Sequence, residues 1–131
     1  MAKTPAFSTH CIYTILRADK LDAAVSKGGT AEFEESRAWV TGLQLLKNAQ
    51  SEGQEMAILF GDAADCSELI YWGVLVAIKI KDETTKYTVK QLKQFAKAHT
   101  PQELVLRSTK KHIAPSFIRP YAICLRPDFL A

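Results

Sequence analysis

Residues 69–82 read LIYWGVLVAIKIKD, the strongest strand signal in the chain. Val74, Val76, Ile78 and Ile80 alternate with Leu75, Ala77, Lys79 and Lys81. The spacing predicts one face buried throughout and another that becomes wet towards the end. Gly73 inside the run predicts a bulge or the close approach of another backbone. On its N-terminal side, EMAILFGDA (55–63) reads as a short apolar strand stopped by Gly61 and Asp62, and DCSE makes the turn between the two. Further out, TAEFEESRAWVTGLQLLKNAQ (30–50) reads as the main helix. Thr30 is its N-cap candidate, and Glu32, Glu34 and Glu35 stand where a helix dipole favours acids. Phe33, Trp39, Val40, Leu43 and Leu46 form its apolar stripe. HCIYTILR (10–17) is a first strand, and ADKLDAAVSKGG holds a short helix or a loop.

On the C-terminal side, TKYTVKQLKQFAKAHT (85–100) predicts a second helix. Thr88 and Gln91 have capping-box spacing, Val89, Leu92 and Phe95 face inward, and Lys90, Lys93 and Lys97 line the outside. PQELVLRS (101–108) is partly extended, and a last strand covers Tyr121–Arg126. Successive strands often lack a crossover helix, which argues for an α+β or small-barrel domain over a parallel α/β sheet. The 131 residues fit one domain, with residues 1–8 expected as a flexible arm.

The apolar fraction of 47% and charged fraction of 24% are ordinary globular values. No run approaches a membrane span, and the start lacks the layout of a secretory signal. Cys11, Cys66 and Cys124 are widely spaced, with no CxxC pair or Cys/His cluster. They read as buried, reduced thiols of a cytoplasmic protein, and neither zinc nor another cofactor is expected. The charge is uneven. Residues 1–85 hold 8 Lys/Arg and 12 Asp/Glu, whereas residues 86–131 hold 9 and 2. Such asymmetry marks either an anion-binding face or two halves that attract each other.

No GxGxxG, Walker loop, HExxH or GxSxG occurs. His10, His99 and His112 have no carboxylate or nucleophile partner evident in the sequence and read as surface or satisfied histidines. The middle of the chain, SRAWVTGLQLLKNAQSEGQEMAILFGDAADCSELIYWGVLVAIKI, resembles the PUA-like superfamily, particularly its EVE and ASCH members, in its order of helix, strand, turn and strand. The likeness covers roughly residues 10–126 as order and pattern. It departs at the motifs. EVE domains carry a histidine and serine where Gly61, Asp62 and Ala63 stand. Of the ASCH motif GxKxxExR only Glu35 and Arg37 fit, with Glu32 in place of the lysine. The resemblance implies a small β-barrel flanked by two main helices, with a cleft for RNA or a modified nucleobase.

Such binding needs aromatic platforms, polar groups that read a base edge, and cations for phosphate. Trp72 beside Gly73 is either a cleft-mouth aromatic or a packed one, and its neighbour Tyr71 points to the opposite face of a regular strand. Trp39 is a cleft candidate that reads first as a core aromatic. Asp62 and Asp65 read first as turn residues, as do Ser108 and Thr109. Lys90, Lys93 and Lys97 are by default a solvated stripe, strengthened by Arg107, Lys110, Lys111 and Arg119 in the same acid-poor third. Three functions remain open. One is a non-catalytic binding module for RNA or a modified nucleobase. Another is an ASCH-like hydrolase acting on a small nucleoside or amide, with Glu35 and a lysine as its hints. The last is a protein-interaction or homodimerisation domain in which the acidic first half meets the basic second half of a partner.

Overall fold

The computed structural model describes residues 7–62, 68–113 and 121–127. In chain order the elements are β1 (Phe7–Leu16), α1 (Ala18–Ser26), β2 (Ala31–Glu35), α2 (Val40–Ser51), β3 (Glu55–Asp62), β4 (Leu69–Lys81), β5 (Thr84–His99), a 3-10 turn (Pro101–Glu103), β6 (Val105–Leu106) and β7 (Tyr121–Leu125). They make a small α+β domain with a mixed sheet ordered β2-β5-β4-β3-β1-β7-β6. Only β1 and β3 pair in parallel; every other named pair is antiparallel.

The expected strands at 10–17, 55–63, 69–82 and 121–126 are present within a few residues. Phe7 and Ser8, expected in a flexible arm, instead open β1. Two helix assignments are corrected. The segment 30–50 divides: Ala31–Glu35 is β2, and only Val40–Ser51 is helical. AEFEE alternates, with Glu32 and Glu34 exposed, and Phe33 packs on Phe60 and Tyr87. Thr30 therefore caps nothing. The segment 85–100 is not a helix but the long strand β5. Its Thr85, Tyr87 and Val89 are buried at period two. Gln91 then takes a left-handed φ of 54°, and the pairing shifts from Val74↔Lys90 to Trp72↔Lys93. This one-residue bulge puts Leu92 inward after Val89. A spacing of three, which mimics a helix, is thus a strand that changes phase.

The same effect alters β4. Its pairing shifts between Leu75 and Ala77, so Leu75 and Ile78 are buried while Val76 is 38% exposed. The expected single buried face therefore ends midway. Gly73 behaves as read: a Cβ there would lie 2.6 Å from Val89 Cγ1 and 3.1 Å from the Lys90 carbonyl. Helix α1 is real and ends at Gly28 and Gly29, both at positive φ, where Gly29 N–H donates to the Ala24 carbonyl at 2.9 Å.

Two apolar clusters lie on the two faces. One packs α1 and α2 against β1, β3, β4 and β5 through Leu21, Trp39, Leu46, Ile58, Phe60, Leu75, Ile78 and Tyr87. The other joins Cys11, Tyr13, Leu59, Leu69, Leu104, Ile113 and Cys124, with Phe7, Trp72, Phe95 and Leu106 at its margin. The second cluster requires a curled sheet. Five strand intervals separate β5 from β6, roughly 24 Å if the sheet were flat. Residues 100–104, mostly a 3-10 turn, span only roughly 16 Å between the strand ends. Curling satisfies this connection and brings Leu104 and Ile113 over Leu69. The strands expected to form a closed barrel are an open curl among the described residues, since β2 and β6 end the order without pairing to each other.

Candidate nucleic-acid interface

Trp72 sits on β4 between Leu59 of β3 and Lys93 of β5. Its ring is half-buried. Phe7 meets it edge-on at 5.9 Å, Phe95 stacks at 6.5 Å, and the Lys93 ammonium lies 4.6 Å from a ring centroid. Phe95 in turn meets His99 edge-on at 5.4 Å. The result is an aromatic row, Phe7–Trp72–Phe95–His99, with a cation over it. The Gln91 bulge is what sets Lys93 opposite Trp72. Tyr71 faces the other way, as expected; its hydroxyl donates to Asp22 and accepts from Gln94 Nε2 at 3.3 Å. Burial first, then the Asp22 hydrogen bond, pushes the Tyr71 hydroxyl above its ordinary value.

The lysines do not form the expected helical stripe. Lys90 pairs with Glu55 at 2.9 Å, Lys93 covers Trp72, and Lys97 is exposed in the irregular stretch before His99. A second basic group lies on the turn after β6, where Arg107, Ser108, Lys110 and Lys111 are all exposed. Lys110 N–H donates to the Leu106 carbonyl at 2.8 Å, and Leu106 N–H to the Lys111 carbonyl at 2.9 Å. Thr109 Oγ1 accepts from Lys111 N–H at 3.2 Å, the turn chemistry its type predicts. Arg107 makes itself felt at His10, whose imidazole is held below its ordinary pKa by burial first and Arg107 second.

Other candidates fall elsewhere. Trp39 is no cleft residue: it is fully buried and stacks on Tyr87 at 4.4 Å, while its backbone N–H donates to Thr85 Oγ1 at 2.9 Å. Asp62 ends β3 opposite Leu16. Glu35 ends β2, where its Oε1 accepts from Ser36 N–H at 3.2 Å. Asp65, Cys66 and Arg119 lie outside the described residues.

The sequence reading missed a cleft of about 660 Å³ lined by His99, Glu103, Val105, His112, Leu125, Arg126 and Pro127. His99 does have a carboxylate partner: its Nδ1 lies 3.1 Å from Glu103 Oε1, four residues on. Glu103 Oε2 accepts from Thr100 N–H at 2.5 Å. That backbone bond first, and His99 second, hold the Glu103 carboxyl below its ordinary value. His112 Nδ1 lies 2.9 Å from the Gln102 carbonyl, and Arg126 Nη1 donates to the Phe7 carbonyl at 3.1 Å. The i,i+4 spacing of His99 and Glu103 was present in the sequence, but the helix expected over 85–100 stopped short of Glu103, and His99 read as a surface or satisfied histidine; the approach of Arg126 had no signal. Among the described residues, no group of three His, Cys, Asp or Glu suited to a metal occurs, and no helix is long and apolar enough to cross a membrane.

These features are a candidate site by their own chemistry. No protein-family model matches the chain, and no curated protein or solved structure matches it significantly.

Proposed function

We propose that this chain is a binding module for RNA or a modified nucleobase, built on a curled sheet of PUA-like character. The observation that carries this reading is the half-buried Trp72 ring with the Lys93 ammonium 4.6 Å from its centroid. An aromatic ring offers a base a stacking surface, and an adjacent ammonium attracts its phosphate. The Arg107–Lys111 turn adds cations in a stretch, 104–127, that has no acid at all. A lysine side chain moves at little cost, so a base can displace Lys93 from the ring.

The test is fluorescence anisotropy of labelled single-stranded RNA and DNA across a salt series. Binding should weaken as salt rises. Trp72→Ala should lose affinity by about 1–3 kcal/mol with its salt slope intact. Absence of binding to any nucleic acid at low salt overturns the reading.

One observation favours a second reading, an ASCH-like hydrolase. The His99–Glu103 pair is a titratable couple in a cleft, the arrangement general acid–base chemistry uses. Turnover of nucleosides or small amides that is lost in His99→Ala would support it, and inert substrates would discard it.

A further inference from the structure

The cleft at the junction of β5, β6 and β7 has a ligand chemistry of its own. We propose that it holds a single nucleotide, with Arg126 and His112 receiving the phosphate and Val105, Leu125 and Pro127 walling the sugar and base. The inference rests on the nucleic-acid reading and narrows it to one pocket.

Its volume, about 660 Å³, lies within the range of small-molecule sites and exceeds what a bare phosphate fills. Its wall is part apolar and part cationic, as a nucleotide is part apolar and part anionic. Glu103 is the cleft's only acid among the described lining residues, and both its oxygens are engaged, Oε1 with His99 and Oε2 with Thr100 N–H. Its charge is therefore met locally. Arg126 is anchored through one N–H to the Phe7 carbonyl. A guanidinium carries five N–H donors, so the anchor orients the group and leaves donors for phosphate oxygens. His112 is anchored in the same manner: a carbonyl only accepts, so Nδ1 donates to Gln102, and Nε2 is the nitrogen left to meet a ligand; it donates to a phosphate oxygen in the imidazolium, the form in which both ring nitrogens carry a proton.

The surroundings extend the match. Lys111 directly precedes His112, and Arg107 and Lys110 share its turn. A strand whose terminal nucleotide entered the cleft would leave across these cations. On the other side the aromatic row ends at His99, which lines the same cleft.

The experiment titrates the full chain with inorganic phosphate, adenosine, adenosine 5′-monophosphate and uridine 5′-monophosphate. It is followed by histidine side-chain NMR shifts and calorimetry at low salt. Matched oligonucleotides with a 5′-phosphate or a 5′-hydroxyl follow. Monophosphates should move the His112 resonances and bind roughly tenfold or more tighter than adenosine, the effect of a charge-assisted hydrogen bond. His112→Asn and Arg126→Gln should each erase that advantage. Because Arg126 also holds the Phe7 carbonyl, the His112 variant is the decisive one should Arg126→Gln fail to fold. If the 5′-phosphate strengthens oligonucleotide binding and the variants remove only that increment, the occupant is a strand end. If monophosphates bind but the 5′-phosphate adds nothing, the occupant is a free nucleotide. Unmoved His112 resonances with every monophosphate overturn the proposal. So does an acidic peptide that displaces the monophosphate at equal concentration. Oligonucleotide binding that persists unchanged in His112→Asn would then leave the wider nucleic-acid reading standing, whereas no oligonucleotide binding at all removes both.

Discussion

Trp39 and Trp72 are the same residue type in one small domain, and burial separates them. Trp39 is fully enclosed and stacked on Tyr87, so it belongs to the core between α2 and the sheet. Trp39→Ala should cost about 3–5 kcal/mol, read as a lower denaturant midpoint, and should affect ligand binding only through loss of folded protein. Trp72 is half-buried under a lysine and should show the reverse emphasis. Lys110 offers a second test at this scale. It holds a φ of 58°, a left-handed conformation that side chains resist. Lys110→Gly should therefore stabilise by up to about 1 kcal/mol, while Lys110→Val should destabilise. Urea unfolding of the two variants checks the sign. Because both remove the charge, any binding loss they share reports electrostatics and not backbone strain.

Among the elements, β5 is the one that shapes both the core and the site. Its bulge at Gln91 lets Val89 and Leu92 face the core and Lys93 stand over Trp72. Gly73 of β4 lies against the bulged stretch, 2.6 Å from Val89 Cγ1 for a built Cβ. Gly73→Ala must push the valine or the strand aside, and should cost about 1–3 kcal/mol and loosen Trp72 beside it. Thermal unfolding measures the first effect and tryptophan fluorescence the second. The turn after β5 carries a pH dependence. The folded carboxyl of Glu103 is held below its unfolded value by Thr100 N–H and His99. Its contribution to stability is therefore present above the ordinary carboxylate pKa and is lost as pH falls through the lowered folded value. The stability gap between the native chain and Glu103→Gln should be largest near neutrality and close in acid, as denaturant curves at several pH values will show.

For the whole molecule, the acid-poor last third supplies the field that the proposed function needs. Neutralising Lys110 and Lys111 together should flatten the salt slope of nucleic-acid binding by about two units, roughly one for each phosphate contact. Folding should hardly change, since exposed charges contribute little to stability. An unchanged slope would make this turn a solvated loop.

The runs at 10–17, 55–63, 69–82 and 121–126 were enough to read an α+β chain and four of its strands, because a period-two or continuous apolar pattern is a local property. The Gly73 approach was legible too, for a glycine inside a strand reports a neighbour it cannot see. The rest was not local. Val89, Leu92 and Phe95 have helical spacing, and only pairing with β4 reveals a bulged strand. Ala31–Glu35 carries the acids of a helix start, yet the partner strand β5 makes it an edge strand. The cleft gathers residues from 99 to 127 because five residues must bridge five strand intervals, and that constraint exists only once the sheet has formed and curled. Sequence by itself determined most of the residues that are buried, though not Val40 or Val76, and where the cations lie along the chain. Tertiary structure decided which of them meet, since strand pairing between distant segments sets the phase of every side chain that follows a bulge.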